Sequence, residues 1–296
     1  MHLKAYLAVA ALCIIWGTSY MFMKIGLHSF SPFHFAGIRQ FFAGVLLLVL
    51  IFAFQRKAIP SRKYIKKQAI YGLLMIGAGN GLVNWSIQFV PTGIVALIGS
   101  MIPIIVVVVN YLMGVGDKVN KKVAAGVLLG FLGPVIIFGS ELQNLLNPAY
   151  LLGMLAALVA GFFWASGSIY SKDYNRDYPS MMNAGFQMVF GGGALLIVSF
   201  FVENPTFEKA DWMSLSALLY LITVSSALAF SLYLYALDKL PAAVVSLYAY
   251  VNPLVAIFLG WLVLDEVLTL GIFLAFIVTA AGIYLVNLGF RRPRIS

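Results

Sequence analysis

The sequence is poor in charged residues and almost devoid of cysteine. Asp, Glu, Lys and Arg make up 10% of its 296 residues, whereas about 25% is usual in soluble domains. Hydrophobic residues make up 62% and the mean hydropathy is +0.97, which is more apolar surface than a soluble domain of this length can bury. These proportions exclude a soluble enzyme, a nucleic-acid-binding domain and a disordered chain. The single cysteine, Cys13, excludes an intrachain disulfide and a cysteine-based zinc site.

Acidic residues are absent from the middle of the apolar segments. All ten Asp and Glu residues lie in or near predicted loops, so a deep carboxylate relay of the kind used by many proton-driven pumps is missing. The chain also has no H-E-x-x-H, G-x-S-x-G or Walker sequence. We therefore expect no enzyme activity, no metal, no cofactor and no ATP-driven step. A proton and a counter-substrate both stay open as coupling partners.

Long apolar runs, in contrast, are abundant. A membrane-spanning helix needs about 20 apolar residues, and ten segments qualify: 3–26, 32–54, 68–89, 91–113, 122–140, 149–170, 180–202, 212–236, 241–264 and 268–289. Pro32, Pro148 and Pro179 lie at helix entries, where a missing N–H costs little, and Asp211 is expected to cap the eighth helix. The prediction is an all-α integral membrane protein with ten transmembrane helices, embedded in a lipid bilayer.

The basic residues lie mainly on one side of this ten-span arrangement. Sixteen of the 19 Lys and Arg residues fall in alternate loops and termini that share one side, two fall on the other side, and Arg39 lies within a span. Basic loops stay in the cytoplasm. The sequence therefore predicts a multi-pass protein of the inner or plasma membrane with both termini in the cytoplasm.

The two halves of the chain resemble each other. Trp16 and Gly44 recur as Trp164 and Gly192 at a shift of 148 residues, and Pro103 recurs as Pro253 at a shift of 150. Two repeats are predicted, 1–140 and 149–290. Because each contains five spans, an odd number, the second must be inverted relative to the first. Two inverted five-helix repeats are an architecture of carriers that expose one central site alternately to each side.

The order of these motifs resembles the drug/metabolite transporter superfamily, and within it proteins with two tandem EamA-type domains. The resemblance covers essentially the whole chain and is carried by Trp16-Gly17-Thr18-Ser19, Lys24, Ser31-Pro32, Arg39, Val90-Pro91-Thr92, Pro103, Ala236-Leu237, Pro241, Asn252-Pro253 and Leu264-Asp265-Glu266. Asp117 stands where the family pattern usually has Glu. The resemblance implies export of small metabolites, often amino acids or related compounds, and leaves the substrate undefined.

Several polar and aromatic residues within or beside the spans are candidates for binding a substrate. Polar side chains in a membrane helix face a cavity or another helix rather than lipid. The candidate substrate-binding residues are Trp16, Ser19, Lys24, Arg39, Asn80, Asn84, Trp85, Trp164, Ser168 and Tyr248. For Lys24 and Arg39, one interpretation is an electropositive funnel that attracts a carboxylate or phosphate. The other is that Lys24 reaches the interface and Arg39 has a structural or gating role, which we favour for Arg39.

Two prolines and two glycines within the spans predict special helix geometry. Pro103 and Pro253 remove a backbone hydrogen bond in the middle of a span and are the candidate gating residues, with a static bend as the alternative. Gly126 and Gly130 form a small-x-x-x-small face that could pack within the bundle or between two copies. The protein is expected to be a monomer or a homodimer.

The function predicted from the sequence is export of a small polar or zwitterionic metabolite, such as an amino acid, by a secondary carrier using alternating access. Within the same superfamily the alternatives are a nucleotide-sugar or organic-phosphate exchanger and a drug efflux carrier. An intramembrane lipid enzyme would need a deep acid, base or metal site, and the sequence has no mid-span carboxylate. A channel would usually show rings of repeated pore residues. Nucleic acid is not expected as a partner.

Overall fold

The chain folds into a bundle of helices. The computed structural model describes residues 2–54, 59–112, 120–140, 146–172, 178–203, 210–240, 245 and 248–290. We number the helical segments α1 (His2–Gly26), α2 (Pro32–Val49, continued by Leu50–Phe54), α3 (Arg62–Gly72, Leu73–Asn80 and Gly81–Ser86), α4 (Thr92–Gly99 and Ile102–Leu112), α5 (Lys121–Ser140), α6 (Pro148–Lys172), α7 (Ser180–Val202), α8 (Trp212–Tyr220, Leu221–Leu228 and Ala229–Lys239), α9 (Tyr248–Leu264) and α10 (Leu270–Phe290). No β-strand occurs within these ranges.

The all-helical membrane fold expected from the sequence is confirmed. Six stretches are long and apolar enough to cross a membrane: Leu3–Gly26, Pro32–Phe54, Thr92–Val109, Pro148–Ser171, Ser180–Val202 and Trp212–Tyr233. Two shorter apolar helices are Val251–Leu264 and Leu270–Val286. Asp211 caps α8 as predicted, because its carboxylate accepts the backbone N–H of Ser214 at 2.7 Å.

Helices α3 and α4 differ most from the predicted spans. Helix α3 begins at Arg62, six residues before the predicted start at 68, and ends at Ser86 instead of 89. The Ser61 hydroxyl caps it by accepting the backbone N–H of Tyr64 at 3.3 Å. Arg62 and the lysines that follow therefore belong to the first turns of the helix. Helix α4 is interrupted at residues 100–101. Pro103 therefore lies in the first turn of Ile102–Leu112, where a proline is tolerated, and not inside a continuous helix as predicted.

The helices of one half pack mainly against helices of the other half. Helix α1 packs on α8 and α9, and its counterpart α6 packs on α3 and α4. The counterparts α2 and α7 pack on each other, as do α5 and α10. This reciprocal pattern is the one that a two-fold relation between two five-helix repeats produces. Asp117 and Pro241, two positions compared with the family pattern, lie outside the described residues.

The counterpart pairs are in backbone contact at glycines. A Cβ on Gly44 of α2 would lie 2.7 Å from the Gly185 carbonyl oxygen of α7. A Cβ on Gly126 of α5 would lie 2.7 Å from the Val286 backbone nitrogen and 2.8 Å from the Gly282 carbonyl oxygen of α10. Real Cβ contacts are not this short, so these positions need glycine. The Gly126–Gly130 face therefore packs within the bundle.

The two halves also share an irregularity of the backbone. Helices α3 and α8 each contain an eight-residue π-helical stretch, Leu73–Asn80 and Leu221–Leu228. The two stretches begin 148 residues apart, at the shift that relates the tryptophans. π-Helical turns are rare and are frequently found at functional sites. Both stretches border the centre of the bundle.

Candidate functional site

A cavity of about 140 Å³ lies in the centre of the bundle, between the two halves. At about 30 Å³ for each water molecule in the liquid, about five waters fit such a volume, which suits a small metabolite. Its wall is made by α1–α4 of the first half and α6–α9 of the second, and the polar and aromatic residues in it are Trp16, Ser19, Tyr20, Arg39, Gln40, Asn80, Ser100, Trp164, Ser225, Ser226, Phe230, Tyr248 and Asn252.

Most of the predicted site residues line this one cavity. The predicted binding residues in its wall are Trp16, Ser19, Arg39, Asn80, Trp164 and Tyr248, and the predicted gating residue Pro253 joins them. Trp16 and Trp164, counterparts in the two repeats, are both in this wall. Pro253 lies inside α9, so its prediction as a proline within a helix is confirmed.

Four predicted binding residues lie outside the cavity wall. Lys24 donates its Nζ hydrogen to the Ile87 carbonyl at 2.8 Å, at the end of α3. Asn84 is fully buried and donates to the backbone and side-chain oxygens of Asn80 at 2.9 and 3.1 Å.

The other two are Trp85 and Ser168. Trp85 packs on Phe89, with ring centroids 4.9 Å apart. The Ser168 hydroxyl donates to the Trp164 carbonyl one turn earlier in its own helix at 2.7 Å. Both side chains therefore contact residues within one turn of their own segment and do not face the cavity.

Arg39 is the charged residue of the cavity wall. It is 5% exposed. Its Nε donates to the Ser226 hydroxyl at 2.9 Å, and Nη2 donates to the Ser225 hydroxyl at 3.4 Å. Nη1 is buried without a hydrogen-bond partner among the described residues. Neutral hydroxyls thus orient the guanidinium, and its charge has no carboxylate partner in the part of the chain that the structure describes.

Ser225 connects Arg39 to α1. Its hydroxyl lies 2.6 Å from the Ser19 hydroxyl, and its carbonyl accepts the indole N–H of Trp16 at 3.1 Å. Ser225 and Ser226 lie in the π-helical stretch of α8. The two serines, with Gln40, Tyr20 and Asn252, were not predicted. The adjacent hydroxyls of Ser225 and Ser226 were visible in the sequence, but the pairing with Arg39 spans more than 180 residues.

An aromatic cluster supports one side of the wall. The Trp16 ring lies 5.2 Å from that of Tyr233 and 5.0 Å from that of Tyr248, and the two tyrosine rings are 5.9 Å apart. When the side-chain nitrogen of Asn252 faces the two nearby backbone carbonyls, it donates to those of Cys13 and Tyr248 at 2.9 and 3.1 Å. These contacts fix α9 against α1 and hold Trp16 and Tyr248 at the cavity.

Carboxylates cap two helix starts at the end of the bundle where α2 and α4 begin, which we call the carboxylate end. Glu203 accepts the backbone N–H groups of Phe33 and His34 at 2.9 and 3.0 Å. Glu266 accepts the backbone N–H and hydroxyl of Thr92 at 2.7 and 2.9 Å. Each contact joins the second half to the first.

The Glu266 carboxylate is positioned by the turn that follows α9. Asp265 adopts a left-handed conformation with φ 54°, which Asp tolerates better than most residues. The backbone N–H of Glu266 then donates to the Gly260 carbonyl at 3.0 Å. This turn directs the carboxylate back to the start of α4.

Neutral side chains join the halves at the opposite end of α3 and α7, which we call the amide end. Gln187 donates its amide N–H to the Gln68 side-chain oxygen at 2.7 Å, and the Tyr64 hydroxyl donates to the Asn183 side-chain oxygen. About 30 Å of helix separates Asn183 from Glu203 at 1.5 Å per residue. No group of three or more His, Cys, Asp or Glu side chains among the described residues could hold a metal ion.

A central cavity between two packed half-bundles is an arrangement typical of membrane transporters built from internal repeats. The profile of the EamA-like transporter family matches residues 3–139 and 151–288. The chain belongs to this family, a branch of the drug/metabolite transporters. The resemblance inferred from the sequence is thereby confirmed.

Relatives match along nearly their whole length. The uncharacterized inner membrane transporter YedA of Escherichia coli is 32% identical over 284 residues, covering 95% of this chain and 90% of that protein. The uncharacterized transporter YoaV of Bacillus subtilis is 27% identical over 292 residues, covering 99% of both. A probable amino-acid metabolite efflux pump of Escherichia coli is 23% identical over 291 residues, covering 94% of this chain and 93% of that protein.

A solved crystal structure shows the same fold. It superposes with a TM-score of 0.67 at 17% sequence identity, covering 99% of this chain and 100% of that one. The family and these relatives point to a multi-pass membrane transporter that moves a small molecule, and to a transporter rather than an enzyme.

Proposed function

We propose that the protein exports a small metabolite, an amino acid or a related zwitterionic or carboxylate compound, by alternating access of the central cavity. The observation that carries the proposal is the cavity itself, since both halves contribute to one wall that contains Arg39, Trp16 and Trp164. Its volume, and the one cation that the described residues place in its wall, fit a small metabolite better than a nucleotide-sugar. The Escherichia coli relative described as a probable amino-acid metabolite efflux pump supports this substrate class.

The proposal includes the roles of individual residues and the orientation. Trp16, Ser19, Arg39, Asn80, Trp164 and Tyr248 contact the substrate, and Pro253 bends a gating helix. Residues 1–140 and 149–290 act as the two repeats, and the family profile, which matches in two segments, supports this division. Both termini lie in the cytoplasm, as the basic loops predict.

The test is flux from proteoliposomes loaded with labelled metabolites, with amino acids and other carboxylates in the panel. We expect saturable flux that Trp164→Ala lowers at least tenfold, because this ring forms part of the cavity wall. Trp261→Ala is the matched control, since Trp261 is 49% exposed and does not line the cavity. A folded protein that moves no member of the panel, or equal loss of flux in both variants, contradicts the proposal.

A further inference from the structure

Resting on the proposed function, we infer that the preferred ligand of the cavity is an organic monoanion, a single carboxylate joined to an apolar or aromatic group, in preference to a free zwitterionic amino acid. The site assigned to its carboxylate is the guanidinium of Arg39, whose Nη1 is buried without a hydrogen-bond partner among the described residues. The site assigned to its apolar part is the wall that contains Trp16, Trp164 and Tyr248.

The first argument for an anionic ligand is the charge of the cavity wall. A guanidinium stays protonated in proteins, and an unpaired buried charge is costly. Among the described residues no carboxylate lines the cavity, so the wall has a charge of +1. A ligand of charge −1 neutralises it, whereas a zwitterion adds an ammonium for which the described wall has no acidic partner.

The second argument is the arrangement of hydrogen bonds around Arg39. Ser226 and Ser225 accept from Nε and Nη2, which fixes the plane of the guanidinium. Nη1 is buried without a partner among the described residues, and we assign this nitrogen to the ligand. The side-chain oxygen of Gln40, in the same wall, is also buried without a partner among the described residues. It can accept from a neutral donor such as the amide N–H of an N-acylated amino acid or a hydroxyl.

The third argument is the aromatic part of the wall. The same rings also provide the competing interpretation, in which they bind an ammonium group. Trp16 and Tyr248 are held edge to face with centroids 5.0 Å apart, and Phe230 and Trp164 are in the same wall. Such surfaces bind an aromatic or branched apolar group. They could also bind an ammonium over a ring face, which would favour the zwitterion, and the experiment separates these two outcomes.

The experiment compares three probes that share one phenyl group and differ in charge. They are N-acetyl-L-phenylalanine (−1), L-phenylalanine (0) and 2-phenylethylamine (+1) at neutral pH. Binding to the purified full chain is measured by the ligand-dependent rise in apparent melting temperature. We expect N-acetyl-L-phenylalanine to bind at least tenfold more tightly than L-phenylalanine, and 2-phenylethylamine to bind most weakly. Equal or tighter binding of L-phenylalanine overturns the inference.

Two substitutions assign the selectivity to Arg39. Arg39→Gln keeps an amide donor without the charge and should abolish the preference for the anion, while Arg39→Lys should retain it with weaker binding. The readout is the ratio of affinities for the anion and the zwitterion, which a purely structural role would not shift in this way. If Arg39→Gln does not fold, Ser226→Ala provides the second variant, because losing the Nε acceptor should reduce the ratio. An unchanged ratio in the folded variants overturns the assignment.

Flux separates failure of this inference from failure of the proposed function. If proteoliposomes transport other metabolites but N-acetyl-L-phenylalanine neither binds nor competes, the inference is wrong and the transporter proposal stands. If no compound of the panel is transported, both are wrong. Protein-free liposomes correct for passive diffusion of the acid.

Discussion

The two ends of the bundle join the same half-bundles with different chemistry. At the carboxylate end, Glu203 and Glu266 of the second half accept hydrogen bonds from the starts of α2 and α4. At the amide end, Gln187 and Asn183 meet Gln68 and Tyr64 through neutral groups. Among the described residues, the contacts at the two ends therefore differ in chemistry, although the helices pack in a two-fold pattern.

The difference has an energetic consequence. Hydrogen bonds to a charged group contribute about 1.5–3 kcal/mol and neutral ones about 0.5–1.5 kcal/mol. A carboxylate at a helix start gains further from the partial positive charge of the N-terminus. We therefore expect the carboxylate end to be the stronger of the two junctions and the one that depends on charge.

The largest effect is expected at Glu266. Its carboxylate accepts three hydrogen bonds, from the N–H and hydroxyl of Thr92 and from the N–H of Gly93 at 3.4 Å. Glu266→Ala should lower the free energy of unfolding by about 2–3 kcal/mol, measured by denaturant titration in detergent. Glu266→Gln keeps the acceptor oxygen and should cost about half as much. Equal stability of the wild type and both variants would show that this carboxylate does not hold α4.

A smaller effect is expected at the amide end. A double-mutant cycle of Gln68→Ala and Gln187→Ala should give a coupling energy of about 0.6 kcal/mol, the average for polar pairs between membrane helices. The same denaturant titration measures it. A coupling as large as the effect of Glu266→Ala would remove the energetic difference between the two ends.

The smallest effect is expected at Asp211, in the loop at the carboxylate end. The backbone N–H of Ser214 holds the pKa of this carboxyl below its ordinary value, and nearby His28 adds to the lowering. A lowered pKa stabilises the fold above the ordinary value, near 4, and this stabilisation is lost as the pH falls through the folded pKa. The gap in apparent melting temperature between wild type and Asp211→Asn should therefore shrink below about pH 4. A gap that does not change with pH would refute this role, since Asn retains the cap.

The sequence predicted the parts of the fold that depend on local physics. Span 180–202 coincides with α7 and span 32–54 with α2, because each has a proline at its entry and enough apolar residues to cross a bilayer. Helix α3 was predicted too short, because Arg62 and the lysines after it read as a loop by hydropathy yet continue the helix. Hydropathy does not detect that the hydroxyl of Ser61 caps the helix and so sets its start at Arg62.

The site was predictable only as a set of candidates. Trp16 and Trp164 were found through the repeat, and the structure brings both to the cavity. The hydrogen bonds of Arg39 to Ser225 and Ser226 join distant parts of the chain, and the π-helical turn that presents the serines has no marker in the sequence. Lys24 and Ser168 belong to the same polar pattern, but backbone carbonyls satisfy them outside the wall.

Arg39, the one cation that the described residues place in the cavity wall, shows how the two halves differ. Under the 148-residue shift the counterpart of Arg39 is Gln187, and the counterparts of Ser225 and Ser226 are Gly77 and Ala78. Two identical copies would have placed an arginine at both positions or at neither. In this chain the two copies differ at these positions, so that one contributes the charge and the other the hydroxyls. The scaffold is duplicated, but the binding chemistry belongs to the fused pair as a whole.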